Sequence, residues 1–285
     1  MMAAIDIQMS AEDKIRRALD AQAVYMPDVR ADIGPLGAGW MTAEAFFSDD
    51  AAIGEFLAFE QSLNKGTDTK TAAARLMTDY GYIMAAAAVP VFAGFGLVPN
   101  LSPASVALSF YTMEELHDGE MQPVRRAHVR FLNEALWQGN LGDTTGAERF
   151  RTEIERHFHP VIEAVHARTR LSRTALWRLV GDAIAGRFLD FGRRFGSAEA
   201  AKASAMQILK VPGSPLANRQ LHYFDLTVLD KNRNEFSYTF RQRGGCCRFY
   251  VGTGGEYCST CVLKAPTERD EELRHAMRRH LGVAD

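Results

Sequence analysis

Through most of the first 210 residues apolar positions recur three and four apart, the period of a helix with one buried face. Ser10 followed by Asp13 opens a short helix. Residues 42–63 carry Phe46, Phe47, Ile53, Phe56, Leu57 and Phe59 at helical spacing, and residues 69–89 form an alanine-rich helix. Residues 104–116 and 123–137 are read as two more helices before the Gly139-Asn-Leu-Gly142 punctuation. Residues 147–169 and 171–195 are longer helical patterns, the second with Leu176, Leu179, Val180, Ile184 and Phe188 on one stripe. Residues 80–98 contain no charge, but Pro90 interrupts them and their Ala and Gly insert weakly into lipid, so they are expected as buried helix.

The period changes after Val211-Pro-Gly-Ser-Pro215, a breaker cluster that marks a boundary between a helical body, residues 1–211, and a C-terminal unit, residues 212–285. Residues 221–229 are rich in strand formers. Phe236, Tyr238 and Phe240 alternate with Ser237 and Thr239, and Asp230-Lys-Asn-Arg-Asn234 supplies turn residues between the two segments, which predicts a β-hairpin. Thr267 with Asp270 three residues on starts a terminal helix reaching Leu281. The expected class is α+β, predominantly α.

Composition adds little to this picture. A chain of 285 residues, 47% hydrophobic and 24% charged, is an ordinary globular one. Its net charge of -2 and pI of about 6.5 give no footprint for nucleic acid. Residues 1–17 mix acids and bases without an apolar run, so no secretory signal is expected and a reducing cytosol is the expected compartment.

The cysteines do change the picture, because all four fall between positions 246 and 261. In a reducing compartment such a cluster points to metal binding or redox chemistry. Cys258-Ser-Thr-Cys261 has the two-residue gap that lets both thiolates of a tight turn reach one metal. Cys246 and Cys247 are adjacent, and neighbouring side chains on extended backbone point apart. That fits a single zinc ion poorly and suits a larger two-iron group, while zinc and a redox dithiol stay open on spacing alone. Arg241, Arg243 and Arg248 surround the set without an acid before Glu256, and several glycines let backbone N–H groups approach the sulfurs.

Arg243-Gly-Gly-Cys246-Cys247-Arg-Phe-Tyr250 followed by Gly254-Gly-Glu-Tyr257-Cys258-Ser-Thr-Cys261 resembles the C-terminal signature of the FhuF-type ferric siderophore reductases, Cys-Cys-x10-Cys-x2-Cys. The resemblance implies a [2Fe–2S] cluster on Cys246, Cys247, Cys258 and Cys261. It also implies one-electron reduction of Fe(III) in a siderophore of hydroxamate type, with Fe(II) released in the cytoplasm. Val262 stands where the family usually has proline. Ser172-Arg-Thr-Ala-Leu-Trp177 resembles the family's segment around a Trp-Gly-Asn, with Arg178 and Leu179 in place of the Gly-Asn.

Such a reductase needs no nucleophile or acid–base pair. Neither a GxGxxG fingerprint after a strand nor a phosphate-binding loop is present, so electrons are expected from a separate donor such as a ferredoxin, a flavin reductase or a thiol. Arg241, Arg243, Arg248, Tyr250 and Tyr257 are the candidate siderophore contacts. Trp137 and Trp177 are read as core residues.

Two other features compete with this reading. Glu155, His157, His159, Glu163 and His166 suggest a di-metal carboxylate site, but only one Glu-x-x-His is present and Pro160 is expected to kink the helix. Arg269, Arg274, Arg278, Arg279 and His280 make the last helix basic, which suits the helix dipole and could also dock an acidic donor or the inner membrane face. The alternatives to a reductase are a helical binding protein with a four-thiolate zinc site and an iron–sulfur sensor.

Overall fold

The structure, a computed structural model, describes residues 11–63, 65–117, 120–133, 136–139 and 144–283. Helix α1 (Ala11–Tyr25) is followed by two short strands, β1 (Ala31–Ile33) and β2 (Met41–Thr42). The predicted Ser10 cap lies outside the described residues. The expected helix over 42–63 is two helices, α2 (Ala43–Ser48) and α3 (Asp50–Ser62). Asp49 divides them: its backbone is extended, and its carboxylate accepts the N–H groups of Ala51 and Ala52, so it ends one helix and caps the next.

Helix α4 (Thr69–Phe95) starts on Asp68, whose side chain caps Thr71, and ends at Gly96 with φ 67°, a left-handed position that glycine takes at low cost. It outruns the expected end at Val89 and passes through Pro90. By length and composition it could cross a membrane, yet 78% of its most apolar window is buried inside the fold. It is the central core helix, and small alanines let its neighbours approach.

After β3 (Leu97–Pro99) the sequence reading is corrected. Residues 106–131 form a long hairpin of β4 (Val106–His117) and β5 (Glu120–Phe131), antiparallel in register from Val106 opposite Phe131 to His117 opposite Glu120. The segments read as helices at 104–116 and 123–137 are therefore strands, ending with β6 (Leu136–Gln138), which pairs with β3. Glu115 and His117 both lie in β4. Long-range pairing overrides the local pattern: β1 adds in parallel to β5 and β2 antiparallel to β4, giving a four-stranded sheet in the order β1-β5-β4-β2.

Three helices complete the body: α5 (Thr144–Thr169), α6 (Arg173–Phe195) and α7 (Ala198–Leu209). Helix α5 runs on through Pro160. Ser172 and Ser197 cap α6 and α7 with their hydroxyls. Trp177 is buried, and Trp137 packs against the same core.

The hairpin β7 (His222–Leu229) and β8 (Glu235–Gln242) forms as predicted, and α8 (Pro266–His280) follows the cysteine segment. The cap expected from Thr267 does not form, since the helix begins after Ala265 with Pro266 in its first turn. The main core extends past the breaker cluster to Leu216 and Leu221. A second, small cluster of Leu226, Val228, Leu273 and Met277 joins β7 to α8. The protein is thus an α+β fold, predominantly helical.

Candidate metal centre

Strand β8 delivers its last residue, Gln242, to a loop that needs close backbone approach to α6. Asp182, buried in the apolar stripe of α6, accepts the N–H of Gly244 at 2.7 Å and of Gly245 at 3.0 Å. A Cβ on Gly244 would lie 2.0 Å from the Asn218 amide and 3.0 Å from Leu221 Cβ, and one on Gly245 would lie 3.0 Å from the Leu179 backbone nitrogen, so a side chain at either position would push the loop and its neighbours apart. Arg178 and Leu179, the two residues that depart from the Gly-Asn of the resembling family, thus sit against the cysteine loop.

Arg243 bridges this clamp to the sulfurs. Its Nε lies 3.5 Å from Asp182 Oδ2, and its Nη1 donates to Cys247 Sγ at 3.5 Å and Cys258 Sγ at 3.6 Å. Arg248 adopts φ 59°; its N–H donates to Cys246 Sγ at 3.3 Å while its guanidinium reaches Asp68 at 2.8 Å and Thr71 at 3.2 Å. That ties the loop to the start of α4, where Arg75 also lies 5.1 Å over the Phe249 ring and the Lys65 carbonyl accepts the Thr253 N–H at 2.8 Å.

The second half of the loop turns back. Cys261 N–H donates to the Cys258 carbonyl at 2.9 Å, Arg243 N–H to the Thr260 carbonyl at 3.4 Å, and Leu263 N–H to Cys261 Sγ at 3.5 Å. Each of the four sulfurs therefore accepts an N–H. Cys261 is buried and the other three are half-buried.

The charges follow from this geometry. A hydrogen bond from Cys258 holds Cys247 down to about 5 against the opposing effect of burial, and Arg243 reinforces it. The same contact, with burial, pushes Cys258 up, so as free thiols the two share one proton. Burial disfavours the Arg243 cation, but the negative Cys247, Asp182 and Cys258 outweigh it and keep that guanidinium charged. Burial raises Cys246.

Among the described residues no three His, Cys, Asp or Glu side chains meet as one metal ion requires. The sulfurs instead lie within electrostatic reach of one another, with Cys247 and Cys258 in direct contact. Four soft sulfurs, each accepting an N–H, are a donor set that a thiolate-bound metal group can use.

The other sequence-predicted residues divide. Arg241 is committed to the fold: its guanidinium donates to the Asp182 carbonyl and lies against Gly186. Tyr250 and Tyr257 form an exposed pair beside the cysteines, ring centroids 4.9 Å apart. Asp182, Asp68 and Thr71 had been missed. Asp182 left one signal, an acid within the apolar run Leu179-Val-Gly-Asp-Ala-Ile184.

The rival sites are occupied structurally. His157 is buried between the Tyr80 hydroxyl and the Leu101 carbonyl, both at 2.6 Å; Glu163 pairs with Arg173, Glu155 with Arg151 and Ser214, and His166 bonds the Leu171 carbonyl. Arg269 of α8 turns inward, 3.9 Å over Phe224 and bonded to Gln242, whereas Arg278, Arg279 and His280 stay in the last turn. No protein-family model matches the chain, and no curated protein does.

Proposed function

We propose that this chain is a cytoplasmic reductase of ferric siderophores, with Cys246, Cys247, Cys258 and Cys261 as the ligands of a [2Fe–2S] group. The observation that carries the reading is the Cys-Cys-x10-Cys-x2-Cys spacing, folded so that each sulfur accepts an N–H. When bound, that group supplies single electrons at a potential that hydrogen bonds and nearby charge set.

The chain's own residues do the rest. Arg243, anchored on Asp182, offsets the negative charge of the thiolates around Cys247 and Cys258 and so favours accepting an electron. Asp68 and Thr71 hold Arg248, which fixes the loop carrying Cys246. Tyr250 and Tyr257 present an amphipathic face beside Cys258 on which the rim of an iron chelate can pack. Fe(III) in a hydroxamate siderophore is held by hard oxygens, and Fe(II) far less tightly, so reduction alone releases the metal. No acid–base residue is required, and a ferredoxin, flavin reductase or thiol would supply the electrons.

Anaerobically purified protein is expected to be red-brown, to bleach with dithionite, and to carry about two irons and two sulfides per chain. Its reduced form should reoxidise faster with a ferric hydroxamate than in chelate-free buffer. Colourless protein loaded with zinc overturns the reading in favour of a structural zinc site. Coloured protein indifferent to the chelate overturns the reductase role and leaves a sensor.

A further inference from the structure

A cavity of about 590 Å³ opens where the last turns of α1, α4 and α6 meet α7, at the opposite end of α6 from Asp182. Its lining is uncharged and largely aromatic, with Tyr25, Phe92, Phe95, Phe188, Phe191 and Phe195 as its rings. Phe195, at the mouth, is 54% exposed. A large apolar side chain left in water beside a cavity of ligand size marks a binding site more than a packing defect. The polar groups of the α1 wall are closed to a ligand. The Tyr25 hydroxyl is buried away from the opening, and Gln22 is fully engaged, donating to the Val29 and Ala86 carbonyls and accepting from Ala31 N–H. Ser197 is spent as the cap of α7, which leaves Ser204 and Gln207 as the remaining polar side chains of the lining.

The mouth carries a cation. Arg194, itself exposed, lies 5.5 Å over the Tyr25 ring and 5.4 Å over the Phe195 ring. The charges nearest to it in sequence are already paired: Arg187 and Arg193 both bond Asp190, at 2.5 Å and 3.4 Å, and Lys202 holds Glu199. Among the described residues Arg194 has neither an ion pair nor a hydrogen bond. Two aromatic faces thus hold its guanidinium at the edge of an apolar cavity with the donor fork unspent, and a carboxylate matches that fork.

Ring geometry selects the body of the ligand. Tyr25 stands at 82° to Phe191 and 79° to Phe195, Phe92 at 77° to Phe188, and Phe191 at 43° to Phe195. Stacking a flat ring system between walls needs parallel faces, which these pairs do not form; a chain that bends along its length can follow them. We propose that this cavity binds a fatty acid, its acyl chain among the rings and its carboxylate on the Arg194 guanidinium. A cationic amphiphile would meet Arg194 with like charge. A second charge on the chain would be buried among rings with no partner. The inference does not depend on what the cysteines hold.

The test titrates the full-length protein by calorimetry with decanoate, and in parallel with 1-decanol, decyltrimethylammonium and 2-naphthoate. Decanoate should bind saturably, one molecule per chain, and 1-decanol about three- to fivefold more weakly for want of one half-exposed ion pair. The cationic amphiphile should bind more weakly than the alcohol. Arg194→Gln should bring decanoate down to the affinity of 1-decanol and leave 1-decanol unchanged, and added salt should narrow the same gap in the wild type. Ala200→Phe, at an exposed position of α7 that lines the cavity, should abolish binding of acid and alcohol while the circular dichroism spectrum is retained. Absence of a saturable decanoate site, 1-decanol or the cation binding as tightly as decanoate, a gap that survives Arg194→Gln, binding unchanged in Ala200→Phe, or 2-naphthoate binding more tightly than decanoate would each overturn the proposal.

Discussion

His157 shows how one residue couples the interior of the helical body to solvent pH. It is fully buried, one ring nitrogen against the Tyr80 hydroxyl and the other against the Leu101 carbonyl, and burial lowers its pKa from 6.5 to about 4. The folded state therefore resists protonation that the unfolded chain accepts. The stability this residue contributes is complete above pH 6.5 and is lost as pH falls from there toward 4. Between pH 7 and pH 5 the loss should be about 2 kcal/mol. Urea unfolding of the wild type and of His157→Gln at both pH values isolates the contribution, because all other titrating groups are shared. The variant should lose less stability on acidification by about that amount, and equal losses would place the sensitivity elsewhere.

At the scale of elements, the site exists because α6 offers a buried carboxylate where a glycine-rich loop comes down on it. Asp182→Ala strands the N–H groups of Gly244 and Gly245 and removes the anchor of Arg243, so unfolding free energy should fall by about 2–4 kcal/mol in urea. A change within about 0.5 kcal/mol, the usual effect of a surface substitution, would show that the clamp does not hold the loop. The cysteine cluster was legible as a candidate site because its members lie close together in sequence. Asp182 was not, because the residues it serves lie some sixty positions away and its own neighbours look like ordinary helix. The same distinction separates the two long hairpins. For β7–β8 the alternation of Phe236, Tyr238 and Phe240 with Ser237 and Thr239 exposes the strand period, and Asp230-Lys-Asn-Arg-Asn234 marks the turn. In β4, Val106, Ala107 and Leu108 are buried in succession, so the period of two is blurred where β4 meets the core. The available signal was Asp118-Gly119, a strong two-residue hairpin dipeptide standing between the strands.

Across the whole molecule, stability is divided unequally between two apolar clusters. The larger one centres on α4 and α6; the smaller consists of Leu226, Val228, Leu273 and Met277, with Phe224, Phe236, Phe240 and Leu281 partly buried around it. The hairpin is tied to the body by the Tyr223 hydroxyl on the Ala185 carbonyl, at 2.7 Å, by Arg193 on the Thr239 carbonyl and by Arg241 on the Asp182 carbonyl. Helix α8 packs chiefly on β7. A small cluster held at one side should open locally at lower free energy than the body. Amide hydrogen exchange is therefore expected to be faster across α8 and the outer part of β8 than across α4 and α6. Leu273→Ala, which removes a side chain only 4% exposed, should widen that gap by about 2–4 kcal/mol of opening free energy without changing exchange in α4. If α4 amides accelerate equally, the two clusters unfold as one unit. If only α8 accelerates, the cysteine-bearing loop stays pinned through Asp182 and Asp68 while the helix beyond it detaches, and the candidate site draws its rigidity from the helical body.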